Sequence, residues 1–429
     1  GIKKKTLVSP NQILGSKVFS NGGVLGIILY QRHLRWMDKQ KVLILSKLSR
    51  YDFEKRKHPE LTERELEKRL SKRGSDYNLL LYHHYLHKGV ENTVNSVFTA
   101  AGVETKVVSR FDYTDANIAW ADAVVTTGGD GTYLLAATRI VDNKKPVIGF
   151  NSDPLRSKGH LCLPQRYSVD VKEAVDNLLN GKFRWTFRKR IRVTLFGENI
   201  YDPPVELHSQ QLRHPENRYL DMDPQLRTLQ PEELNPGDSK PTRVLPVLAL
   251  NEVFIGECVS ARVSYLEIGF DNKKKVKQKC SGLIASTGTG STSWTYSINQ
   301  LTEQNMEEIL TIIKEETGYD IKDTDSRFVK KVTNKFNEML IINSEESRMV
   351  YTIRDLLPTS PLDRSPLKPR GLAQSIHVKS RCFDAALVID GGVSFRFNDG
   401  THALLEVKES DALRTVTLIE SPKQLSFKH

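Results

Sequence analysis

The stretch that decides the fold is Val124-Val125-Thr126-Thr127-Gly128-Gly129-Asp130-Gly131-Thr132. A short apolar, β-branched run enters three glycines set around one aspartate, and residues 133–141 follow with helical spacing. Strand, glycine turn and helix in that order predict a parallel α/β unit with its turn at the carboxyl end of a strand. Working outward, residues 41–47, 106–109, 121–127 and 146–150 read as strands and residues 59–73 as a helix. Val90, Val94, Val97 and Ala101 fall at helical spacing before a stop at Gly102.

The turn also carries chemistry. Glycines let the main chain approach a ligand closely, and successive N–H groups at a helix start cradle an anion such as a polyphosphate. A carboxylate repels phosphate, so Asp130 makes sense there if it holds Mg2+ or accepts the proton of an attacking hydroxyl. The competing reading is a plain strand-to-helix turn in which Asp130 caps the helix.

From residue 181 to about 287, apolar alternation and β-branched residues dominate, which predicts a β-rich second domain. Asn251-Glu252 lies in a strand-like context there; an amide beside a carboxylate can grip a ribose diol, although taken alone the pair reads as a polar strand edge. Residues 281–294 form a strand, a dense Ser/Thr/Gly loop and a helix start, with Trp294 available for stacking or core packing. The loop is no Walker A sequence. Residues 203–246, with eight prolines, and 353–370, with four, read as polar insertions or linkers, and residues 302–341 as charged helix. Residues 374–419 return to strand character.

The chain has 429 residues, 38% hydrophobic and 27% charged, which fits two folded domains and excludes a disordered chain. No apolar run approaches the roughly 20 residues of a membrane helix. Cys162, Cys258, Cys280 and Cys382 are too far apart for zinc-type pairs and read as ordinary thiols. The net charge is +11, of which residues 1–37 supply +6 with no acidic residue, a composition that reads as the remnant of a transit peptide. Two basic clusters, 273–279 and 182–192, read as a solvated hairpin and a strand face rather than a nucleic-acid surface. Within the second, Arg188, Lys189, Arg190 and Arg192 are candidates to hold a triphosphate. His83, His84 and His87 read as a polar helix face, since no third metal ligand is near in sequence.

Taken in order, Gly-Gly-Asp-Gly-Thr at 128–132, Leu250-Asn251-Glu252 and Thr289-Gly290-Ser291-Thr292 resemble the NAD kinase family, most like its animal mitochondrial branch, over residues 41–419. The resemblance implies an α/β N-terminal domain plus a β-rich C-terminal domain of NAD kinase/diacylglycerol kinase-like type, with the C-terminal segment returning to the first domain. The expected division is a basic arm at 1–40, a nucleotide-binding domain at 41–180, a β-rich NAD-binding domain at 181–395 with insertions 203–246, 302–341 and 353–370, and a returning segment at 396–429. The activity implied is phosphoryl transfer from ATP, with inorganic polyphosphate as a further donor, to the adenosine ribose 2′-hydroxyl of NAD, giving NADP. Mg2+ is expected to enter with ATP, with no resident metal site. Asp130 is similar to the family's catalytic aspartate, and Gly128, Gly129, Gly131 and Thr132 to its phosphate-binding turn. Asn251, Glu252, Ser291, Thr292, Ser293 and Trp294 are similar to its NAD contacts. A homodimer in the mitochondrial matrix is implied, with no nucleic-acid or membrane partner. The chain departs from the family at Trp294, where most members have Tyr, at Gly288, where most have Pro, and at Ser281, where most carry an acidic residue. Two rival readings are a lipid kinase, which shares the glycine turn but has no reason to keep Asn251-Glu252, and an inactive NAD(P) sensor, against which Asp130 speaks.

Overall fold

The computed structural model describes residues 40–197, 200–207, 241–318, 326–358 and 367–419. The basic arm up to residue 39, most of the 203–246 stretch, the middle of 353–370 and residues 420–429 lie outside these.

Four parallel strands, β1 (Lys41–Ser46), β2 (Glu104–Val108), β3 (Ala123–Gly128) and β4 (Val147–Asn151), form a sheet in the order β2-β1-β3-β4. β3 and β4 are buried along their whole length, as parallel strands covered on both faces must be. The helices are α1 (Arg50–Lys57), α2 (Glu63–Lys72), α3 (Tyr77–Ala100), α4 (Asp115–Trp120), α5 (Asp130–Thr138), α6 (Arg166–Val169) and α7 (Val171–Leu179). Val94 and Phe98 of α3 and Val175 and Leu178 of α7 pack with Val42, Ile44 and Val125 on one face. Ile118 of α4 and Tyr133 and Ala136 of α5 pack with Leu43, Leu45 and Val124 on the other.

Two helices differ from their sequence expectation. α3 starts at an Asp76 cap, whose carboxylate accepts the Leu79 N–H at 3.0 Å, well before Val90. Its first turns pack through Tyr77, Leu80 and Leu81 on Leu66 and Leu70 of α2 and border a cavity with His83, His84 and His87, so the valine stripe that faces the sheet core does not extend over them. α5 starts at Asp130 rather than at 133, because Gly129 is still extended (φ −97°, ψ −168°) and acts as the cap.

The remaining strands are antiparallel: β5 (Phe183–Arg188), β6 (Ile191–Phe196), β7 (Val205–Glu206), β8 (Thr242–Val244), β9 (Glu252–Glu257), β10 (Ser264–Phe270), β11 (Val276–Cys280), β12 (Gly282–Ser286), β13 (Met349–Arg354), β14 (Arg370–Ala373), β15 (Ser375–Ser380), β16 (Ala385–Ile389), β17 (Val393–Arg396), β18 (His402–Val407) and β19 (Leu413–Leu418). One sheet runs β14-β13-β12-β9-β16-β17-β7 and another β11-β10-β15-β18-β6-β8. Val253, Ile255 and Leu283 of the first meet Leu266, Ile268 and Val378 of the second in a sandwich core. The chain then comes back: β19 pairs with β5, Val416 and Leu418 join the Val42 cluster, and Thr415 Oγ1 donates to the Val147 carbonyl at 2.7 Å. Three helices, α8 (Trp294–Asn299), α9 (Glu303–Thr317) and α10 (Ser326–Glu338), lie between β12 and β13. Among the described residues no helix is long and apolar enough to cross a membrane.

Candidate active site

The glycine turn joins β3 to α5 at the carboxyl edge of the parallel sheet. Only glycine fits at 128: a Cβ there would lie 2.4 Å from Thr132 Oγ1 and 3.0 Å from Lys47 Cβ. Asp130 does not cap α5. Its carboxylate instead accepts main-chain N–H groups from Leu161 at 2.9 Å and His160 at 3.1 Å. Those two bonds fix the carboxylate while leaving each oxygen a further lone pair. The supporting loop is itself held by a tight turn at Gly159 (φ +62°), where a Cβ would meet Asn151 Nδ2 at 2.6 Å. Cys162, whose Sγ lies 3.8 Å from the Gly128 carbonyl, is no nucleophile: burial, with Asp130 adding, pushes its thiol up to about 12.

The second motif reaches the same region through packing, since Leu250 shares a cluster with Val124, Tyr133 and Leu161. Asp390, half-buried at the turn after β16, accepts the N–H groups of Leu250, Asn251 and Glu252 at 2.8, 2.8 and 3.0 Å. It does so at φ +48°, a conformation Asp tolerates better than most residues. Asn251 Nδ2 donates to Ser293 Oγ at 3.2 Å, but Asn251 Oδ1 and Glu252 Oε2 are buried without a hydrogen-bond partner. Burial, with the Asp390 charge adding, pushes the Glu252 carboxyl up to about 8; burial also raises Asp390, to about 6, against the pull of its three N–H bonds.

Around this pair the 287–294 loop is folded on itself. Thr287 N–H donates to the Asn251 carbonyl at 2.9 Å, and a Cβ at Gly290 would lie 2.2 Å from that carbonyl oxygen. Thr292 Oγ1 donates to the Thr289 carbonyl at 3.2 Å. Trp294 is 37% exposed, with its ring 5.4 Å from that of Phe254 and the Arg354 guanidinium 5.5 Å from its centroid. Ser291 departs from expectation. It is fully buried, donates to the Gly288 carbonyl at 2.6 Å and accepts the Ile342 N–H at 2.9 Å, so its hydroxyl shapes the loop instead of facing a ligand. Ser281 N–H donates to the Arg354 carbonyl at 2.9 Å.

The basic cluster after β5 also departs from expectation. Arg190 is wholly buried and donates to the main-chain carbonyls of Asp411, Ala137, Ile140 and Asp142, clamping the end of α5. Arg192 pairs with Asp411 and Lys189 with Glu409. Three of the four cations thus have internal partners; Arg188 alone reaches toward the 287–294 loop, 3.4 Å from Thr289 Oγ1. The three histidines of α3 are likewise not on a solvated face: they line a cavity of about 460 Å³ that reaches Gly129. Sequence reasoning missed Asp390, the 160–161 amides and this cavity, because no local pattern marks any of them.

The site combines a carboxylate fixed at a glycine-rich strand-to-helix turn with two buried, unpartnered acceptor oxygens, a combination suited to phosphoryl transfer to an alcohol. The profile of the ATP-NAD kinase N-terminal domain matches residues 42–183. Mitochondrial NAD kinase 2 of Homo sapiens is 42% identical over 382 residues, covering 88% of this chain and 84% of that protein. Its Xenopus tropicalis counterpart is 41% identical over 397 residues, covering 88% and 90%. A probable NAD kinase 1 of Oryza sativa subsp. japonica is 30% identical over 174 residues, covering 40% and 25%. The chain belongs to the NAD kinase family.

Proposed function

We propose that this chain transfers the terminal phosphoryl group of ATP to the adenosine ribose 2′-hydroxyl of NAD, giving NADP. The observation that carries this is the pair of buried acceptor oxygens, Asn251 Oδ1 and Glu252 Oε2, left without protein partners on adjacent residues. Burying two such atoms unpaired costs about 1–3 kcal/mol each, and a ribose diol brings the two O–H donors that would satisfy them. Ser293 holds the Asn251 amide, and the Phe254–Trp294 pair offers a face for a flat ring.

Asp130 orients the attacking hydroxyl and takes its proton as the phosphoryl group departs from the donor. Gly128, Gly129, Gly131 and Thr132 form the turn along which the phosphates lie. Asp153, whose Oδ1 is buried without a hydrogen-bond partner, would hold a Mg2+ ion brought in with ATP, and such an ion would supply charge neutralisation on the phosphoryl oxygens. The names of its relatives support a mitochondrial location; we place the protein in the matrix, and as a homodimer, which light scattering would test.

The test is a coupled assay of purified protein with Mg2+, ATP and NAD, reading NADP with an NADP-specific dehydrogenase. Asp130→Asn should lower kcat by about 10²–10⁴-fold with NAD binding retained. Near-normal turnover in that variant would overturn the role of Asp130. A folded wild-type protein that makes no NADP from ATP or polyphosphate would overturn the reaction.

A further inference from the structure

We propose that Arg188 is the cation that receives the transferred phosphoryl group: its guanidinium holds the 2′-phosphate once that group is on the adenosine ribose, and so sets the preference of the site for NADP over NAD. The proposal deepens the kinase reading above and rests on it.

Its place follows from the return of the chain to the first domain. Arg188 ends β5 and stands opposite Leu413 of β19. Leu413 packs in one cluster with Tyr133 of α5, with Leu161, whose N–H holds Asp130, and with Leu250, the neighbour of Asn251. The residue thus sits where the two halves of the site meet. Its Nη1 lies 3.4 Å from Thr289 Oγ1, in the loop folded around Asn251. Toward the glycine turn, burial is the main cause of the raised Cys162 thiol, but Asp130 adds to it and Arg188 opposes it, so that thiol lies within range of both charges.

Its availability follows from comparison with its neighbours. Lys189 is paired with Glu409, Arg192 with Asp411, and Arg190 is spent on four main-chain carbonyls. Arg188 is half-buried, and no carboxylate lies within ion-pair distance of it among the described residues. A guanidinium carries five N–H donors. Here Nε is buried without a hydrogen-bond partner, and the contact with Thr289 is longer than the usual N–H to oxygen range. A buried, unpaired donor on a cation is costly, and an anion with several acceptor oxygens relieves that cost.

The ligand class follows from the charge that the reaction moves. NAD and NADP differ by one phosphate monoester, which carries about −1.5 to −2 charges near pH 7. Asp130 stands where that group arrives and repels it, so the product needs a cation on the acceptor side. A guanidinium fits a phosphate through two parallel N–H to oxygen bonds. Arg188 itself takes no proton and forms no covalent bond. The bond from phosphorus to the donor oxygen breaks as the bond to the ribose oxygen forms, Asp130 takes the hydroxyl proton, and Arg188 offsets the transferred charge.

The test is calorimetric titration of the full chain with NADP and, separately, with NAD, beside wild-type NADP formation. Arg188→Met should raise Kd for NADP by roughly 10- to 100-fold and leave Kd for NAD within about threefold, because only the phosphate distinguishes the ligands. Arg188→Lys keeps the charge without the fork and should fall between wild type and Arg188→Met. If the methionine variant does not fold, Arg188→Lys carries the test alone, through the same selective loss of NADP. Unchanged NADP affinity, or an equal loss of both ligands as expected of a merely structural residue, overturns the assignment; with NADP still formed by the wild type, the kinase reading stands. If the wild type prefers NADP through Arg188 yet makes none from Mg·ATP and NAD, the assignment stands and the kinase reading falls.

Discussion

If Glu252 receives a ribose hydroxyl, NAD affinity should rise with pH through the titration of that one carboxyl. A carboxylate accepts an O–H more strongly than its neutral acid, and burial together with Asp390 pushes Glu252 up to about 8. At about pH 7 roughly one-tenth of the molecules would carry it ionised, and at about pH 9 roughly nine-tenths. The Michaelis constant for NAD should therefore fall about tenfold over that interval, equivalent to ~1.4 kcal/mol. Glu252→Gln is neutral throughout, so its Michaelis constant should stay near the low-pH wild-type value and lose the dependence. The assay is NADP formation at saturating Mg·ATP across that range, with calorimetry in two buffers to count the proton released as NAD binds. The same raised value has a consequence for the free protein. Between the unfolded carboxyl value and about 8 the folded state binds the extra proton, so stability declines as pH rises through that window, and Glu252→Gln should flatten the decline. Identical pH profiles for wild type and Glu252→Gln would refute the reasoning.

Asp390→Asn keeps a side chain that tolerates φ +48° but turns an NH2 group toward one of three N–H donors; the Michaelis constant for NAD should rise roughly tenfold with kcat little changed. Its pH midpoint should also move down, because a neighbouring negative charge is gone, and an unmoved midpoint would count against the link between the two acids. Gly128→Ala forces Thr132 and the turn apart, and kcat/KM should drop about 10²-fold in a protein of normal circular dichroism; full activity would mean that the turn is not in the site. Arg190→Met strips four carbonyls of their donor and should cost about 3 kcal/mol in denaturant unfolding, whereas a loss under about 1 kcal/mol would show that the clamp on α5 is dispensable.

Much of the fold was legible in local pattern. The buried runs that became β1, β3 and β4 are built on apolar stretches, residues 42–45, 123–125 and 147–150, and the glycines at 128 and 129 end β3 where the reading placed the turn. The antiparallel half was legible through alternation, as in β6, whose buried and half-buried residues strictly alternate. Asp130 could be singled out because a carboxylate in an apolar, glycine-rich turn is costly unless it has a task, whereas Asn251 and Glu252, a polar strand edge when taken alone, stood out only through the family resemblance.

What the sequence by itself determined, then, was the order of elements, the turn and the residue types offered for chemistry, because periodicity and glycine punctuation act over a few residues. The tertiary structure decided who meets whom. It brought Asp390 under Asn251 and Glu252 from 139 and 138 residues away, which no local pattern encodes. It turned Arg190 and Arg192, which the sequence offered as candidates to hold a triphosphate, inward onto the 411 turn while leaving Lys47 and Arg156 beside a cavity. It buried Ser291 and aimed the α3 histidines at the sheet edge. A charge's neighbours and its distance from water are set by chain segments that pack together from afar, and those two quantities determine whether a polar group supports the fold or waits for a ligand.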